Sequence, residues 1–93
     1  MHLLLEYRLA EDYLERRAAL REEHLALARA AHDRGELLLA GALPDPYDRA
    51  LLVWTADREV VERFAAADPY VVHGLVTSWS VRPWTVVVGG GAG

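Results

Sequence analysis

Two arginines and a histidine stand where a helix of this chain would otherwise be apolar. In "RAALREEHLALARAAHDRGE", residues 17–36, each residue advances the helical wheel by about 100°. Extended back to residue 14, the wheel puts Leu14, Leu20, Leu25, Leu27, Ala28 and Ala31 on one side. Glu15, Glu22, Glu23, Asp33 and Arg34 take the other. Arg17, Arg21 and His24 fall inside the apolar arc, within about 60° of one another and spread over about 10 Å of helix axis. Burying uncompensated cations costs several kcal/mol each, so this face is expected to border a cleft and not a sealed core. Fixed positive charge beside a titratable imidazole suits an anionic or enolate-like ligand. The plainer alternative has the arginine stems covering apolar surface with their heads in water, and His24 satisfied by an internal hydrogen bond.

Asp68 is the acidic candidate. In "DPYVVHG" it stands where an N-cap belongs, with Pro69 at the first helical position and Gly74 at the exit. A carboxylate has two oxygens, so a capping Asp can also orient an imidazole. That pairing fixes the tautomer and raises the basicity of the ring, which is the minimum needed for general acid–base chemistry. His73, before Gly74, is a further candidate to line the same cleft. His32 sits near a helix end, where a cation favours the dipole, and His2 belongs to the first strand.

Other chemistries find little support. The chain has no cysteine, which excludes disulfides, thiolate metal sites and thiol nucleophiles. No His and carboxylate groups have convincing metal-ligand spacing. Ser78 and Ser80 lack a nucleophile-elbow context, and no glycine-rich phosphate loop is present. A net charge of −4 argues against nucleic acid. No stretch approaches the roughly 20 apolar residues of a membrane span. "MHLLLEYRLAEDY" is too short and too quickly charged for a secretion signal. The expectation is a cytoplasmic protein working without a cofactor or metal.

The elements that must position these side chains follow from periodicity. Ninety-three residues, 53% hydrophobic and 26% charged, make one globular domain, assigned to residues 1–88, before a mobile Gly-rich tail at 89–93. A strand over 2–9 precedes a long helix from about Asp12 to Arg34, with Asp12 and Glu15 at capping-box spacing and Gly35 as its left-handed stop. A strand at 36–43, a turn at 43–48 and a central strand at 49–56 come next. Asp57 then caps a helix carrying Val60, Val61, Phe64 and Ala65. After the short turn at 67–74, a last strand puts Leu75, Thr77, Trp79 and Val81 on one face until Pro83 breaks it. The order β-α-β-β-α-β is that of a ferredoxin-like α+β fold, an antiparallel four-stranded sheet with both helices on one face. Its other face would carry Leu4 and Val76, and a second subunit packed sheet to sheet is the expected cover. Trp54, Trp79 and Trp84 are read as core or interface residues.

The chain resembles the YciI-like (YCII-related) domain family. The resemblance rests on "REEHL" at 21–25, "GELLLAGAL" at 35–43, "ADPYVVHGLV" at 67–76 and "VRPW" at 81–84, in the family's order. It implies a dimeric α/β-barrel and a His–Asp active site matching His24 and Asp68, with Arg21 in the place of the family's arginine. Members are mostly described as enzymes of unknown substrate, and the wider barrel superfamily handles small, often aromatic or lactone-like molecules. Two features depart from the pattern: "GALPDP" replaces Gly-Pro, and His73 stands where a small residue is usual. The reading is an isomerase- or lyase-like enzyme for a small anionic or aromatic molecule, with catalytic His24 and Asp68 and with Arg21, Arg17, Tyr70 and His73 contacting substrate. The alternative is a non-catalytic ligand-binding or dimeric accessory module.

Overall fold

A computed structural model describes residues 1–89. The tail expected over 89–93 therefore lies, beyond Gly89, outside the described residues. Four strands form one antiparallel sheet in the order β2-β3-β1-β4: β1 His2–Leu9, β2 Leu37–Leu43, β3 Arg49–Trp54 and β4 Val76–Trp84. The helices are α1 Tyr13–Arg16, α2 Arg21–Asp33, α3 Arg58–Ala67 and the single turn α4 Pro69–Val72. They pack on one face, giving the ferredoxin-like α+β fold.

Register decides which side chains meet the helices. Leu5 pairs with Leu52 and Val81, and Tyr7 with Ala50 and Trp79. Because paired residues share a face, these rows point towards the helices. Leu5, Tyr7, Leu52 and Trp54 are almost fully buried beneath Ala31, Val61 and Ala65. Ala28 and Ala31 are the buried residues of α2, and their small side chains let the helix lie close to the sheet. Val61, Phe64 and Ala65, at helical spacing, bury the matching stripe of α3.

The helix expected from Asp12 to Arg34 is interrupted. Arg17–Ala19 forms a 3-10 turn between α1 and α2. Leu14, Ala18 and Ala19 are exposed and Tyr13 alone is buried in α1, so no continuous apolar stripe holds this stretch in α geometry. Asp12 makes no capping bond; its carboxylate lies 3.5 Å from Arg16 instead. Asp57 occupies the N-cap of α3 without a side-chain bond, and its carbonyl accepts from Val60 and Val61. At the other end of α2, Gly35 takes φ +80. Its N–H reaches the His32 carbonyl and that of Glu36 reaches Ala31, the paired bonds of a Schellman stop.

Two expectations for the last strand are also corrected. Pro83 does not break β4, which continues to Trp84. β4 is an edge strand, where a missing N–H breaks no ladder on the outer side. A register shift between Arg8 and Leu9 brings Val76 opposite Leu9 and Ser78 opposite Arg8. Val76 therefore joins the core at 5% exposure and leaves the open face, while Thr77 is exposed. The sheet face away from the helices carries Leu4, Leu39, Leu43, Leu51, Val53 and Trp84 in register, with the Glu6–Arg49 ion pair among them at 2.7 Å.

Candidate active site

Asp68 sits at the corner between α3 and α4. Its N–H closes α3 on the Phe64 carbonyl, and its own carbonyl receives Val71 and Val72. This fixes an extended residue whose side chain turns inward, fully buried. Oδ1 accepts from the Tyr70 backbone N–H at 3.0 Å, and Oδ2 accepts from the Tyr7 hydroxyl at 2.7 Å. His24 Nδ1 lies 2.9 Å from both oxygens. A buried carboxylate costs several kcal/mol in lost hydration. Three donors, each worth about 1.5–3 kcal/mol against a charge, are enough to offset that.

The consequence for His24 is directional. A carboxylate only accepts, so Nδ1 carries a proton and Nε2 is the remaining nitrogen. The ring stacks on Tyr70 with centroids 4.0 Å apart and planes 8° apart. Tyr70 in turn is braced edge-on by Tyr13 at 5.8 Å. The imidazole is thus held by a bond at one edge and a ring beneath it, with its side chain 14% exposed.

It opens on a hollow of about 510 Å3 between α2 and the β2–β3 side of the sheet, a size suited to a small molecule. Arg17, Arg21, His24 and Tyr70 all line it, and His73 does not. His73 is exposed, and its carbonyl accepts from Arg16 at 2.6 Å. The expectation that the misplaced charges border a cleft therefore holds for both arginines and for His24. The Arg17 guanidinium lies 5.5 Å from the rings of Tyr13 and Tyr47 alike, so the 43–48 turn meets the helix over the hollow. Interaction with the Tyr13 side chain raises the Arg17 pKa above its ordinary value. Burial pushes the Tyr70 phenol up, and the Arg21 and Arg17 guanidiniums pull against that shift. Its hydroxyl is buried, without a hydrogen-bond partner among the described residues.

Sequence reasoning missed Tyr7, Tyr13 and Tyr47. A polar-tipped ring on the inward row of β1 was the available signal for Tyr7, since a buried phenol needs an acceptor. Among the described residues no three His, Asp or Glu side chains come together as a metal site, and no helix is long and apolar enough to cross a membrane.

A YCII-related domain model matches residues 1–85. The chain belongs to the YCII-related family. Protein YciI of Escherichia coli O6:H1 is 36% identical over 86 residues, covering 82% of this chain and 88% of that protein. Protein YciI of Shigella flexneri matches to the same extent. Among solved structures, 5-chloro-2-hydroxyhydroquinone dehydrochlorinase from Burkholderia phenoliruptrix, in complex with 2,5-dihydroxybenzoquinone, superposes with a TM-score of 0.75. It is 19% identical, and the match covers 90% of this chain and 93% of that one. At that identity the likeness establishes a shared fold for this YCII-related chain.

Proposed function

We propose that this YCII-related protein is an enzyme that moves a proton on a small anionic molecule by general acid–base catalysis. One observation carries the reading: a fully buried carboxylate holds Nδ1 of His24, whose ring lines a ligand-sized hollow. Nε2 then acts as the base. The C–H bond next to a carbonyl breaks, its electron pair passes into an enolate, and the proton moves to Nε2. Asp68 stabilises the imidazolium formed, a role worth on the order of 10²–10⁴ in rate together with the base itself. Arg21 and Arg17, on the wall of the hollow, offset the negative charge of the enolate and hold an acidic group beside it. Return of the proton to another carbon completes an isomerisation, and loss of a leaving group completes an elimination. That the structural neighbour is named a dehydrochlorinase supports an elimination as one outcome of such a base. The protein is read as cytoplasmic and cofactor-independent, with a second copy covering the open sheet face.

Incubating the protein in D2O with a panel of keto acids, lactones and hydroxylated aromatics tests this by proton NMR. Wild type should exchange an acidic C–H of at least one compound, and His24→Ala should lose that exchange by at least a hundredfold while keeping its fold. Binding of a panel member without exchange would instead mark a ligand-binding module.

A further inference from the structure

Among the described residues the hollow is lined by three arginines and two histidines, and by no aspartate or glutamate. This is unexpected in a chain of net charge −4. The acidic residues of α2, Glu22, Glu23 and Asp33, are all exposed and none reaches the cavity wall. Asp33 stands one turn beyond Arg29, the spacing of a helical ion pair. Arg21 and Arg29 are exposed as well, yet among the described residues neither forms an ion pair.

The cations are placed at two ends. Arg17 and Arg21 lie N-terminal to His24, beside Tyr13 and Tyr70. Arg29 lies on the C-terminal side, eight residues or about 12 Å of helix axis beyond Arg21. His24 falls between the two poles, about 4.5 Å of axis from Arg21. At the Arg29 end the wall is fixed: His32 Nδ1 donates to the Leu37 carbonyl at 2.8 Å, tying α2 to β2. Leu25 and Ala28 line the wall between the two poles, an apolar stretch that offers a ligand lying along the helix no competing charge.

We propose that the site takes a dianion, one acidic group held by Arg21 and Arg17 and the second by Arg29, with the reacting carbon between them under His24. This rests on the hollow being the ligand site of the proton-transfer reading and adds to it a second anion subsite at Arg29. A monoanion leaves one guanidinium pole unused. A dianion of sufficient length neutralises both and cannot slide along the helix, which fixes the carbon presented to Nε2.

Calorimetric titration of wild-type protein with butanoate, hexanoate, octanoate, succinate, adipate and suberate tests the subsite. Adipate or suberate should bind about tenfold more tightly than the monoacid of equal length, the gain of one added charge-assisted contact, and succinate should show less of that gain. Arg29→Gln should abolish the diacid advantage, whereas Arg21→Gln should weaken hexanoate and the diacids alike. Arg63→Gln removes the same charge from α3, outside the hollow, and should preserve the advantage. Equal affinity for diacid and monoacid, absence of any diacid binding, or an advantage that survives Arg29→Gln or disappears in Arg63→Gln overturns the proposal. Exchange in D2O without diacid preference would refute the subsite alone; diacid preference without exchange would refute the catalytic reading and leave the subsite standing.

Discussion

At Asp68 the decisive quantity is the set of donors facing a carboxylate that has no access to water. Tyr7, His24 and the Tyr70 N–H share its two oxygens. Removing the carboxylate leaves the Tyr7 hydroxyl in the core without an acceptor, so Asp68→Ala should cost about 2–4 kcal/mol by urea denaturation. Asp68→Asn preserves shape but not charge, and exchange activity should fall on the order of 10²–10⁴. Tyr7 gives a pH prediction of its own. Burial first, and then the Asp68 charge and hydrogen bond, raise its pKa far above the ordinary tyrosine value of 10.0. Since the folded value lies above the unfolded one, its contribution is fully present below about pH 10 and is lost as pH rises beyond it. Stability measured from pH 9 upward should therefore decline more steeply in wild type than in Tyr7→Phe. At neutral pH that variant should be less stable by about 1.5–3 kcal/mol.

The elements show what local pattern could and could not reveal. His24 and Asp68 were legible because one stood on an apolar helical arc and the other in a Pro-flanked cap. Both signals are short-range, and the fold merely brought them together. Tyr7 was not legible as a site residue, since its acceptor lies 61 residues away and strand alternation reports facing, not partners. The interruption at Arg17–Ala19 carries no Gly or Pro. It follows from the exposure of Leu14, Ala18 and Ala19, a tertiary fact. Val76 was misplaced because one bulge inverts every facing assignment beyond it. Gly35 was read correctly, as its φ of +80 confirms. No atom lies within 4 Å of a Cβ built there, so Gly35→Ala tests backbone strain without steric clash. It should cost about 1–2 kcal/mol in thermal unfolding, and Gly35→Asn should cost less.

At the scale of the whole molecule, helices cover one sheet face and leave Leu39 64% and Leu43 44% exposed on the other. Leu4 and Leu51, half-buried, continue that surface, which a second copy would bury. Light scattering should give a dimer for wild type and a monomer for Leu39→Glu combined with Leu51→Lys, with circular dichroism unchanged; a wild-type monomer would refute the sheet-to-sheet assembly. The central claim, that the imidazole of His24 is locked at Nδ1 and bare at Nε2, is tested most directly by 15N NMR of His24 at pH 8. Nδ1 should be protonated and Nε2 unprotonated, and the Nε2 resonance should move when a ligand fills the hollow. A proton on Nε2 with Nδ1 bare, or an Nε2 signal indifferent to a bound ligand, would contradict it.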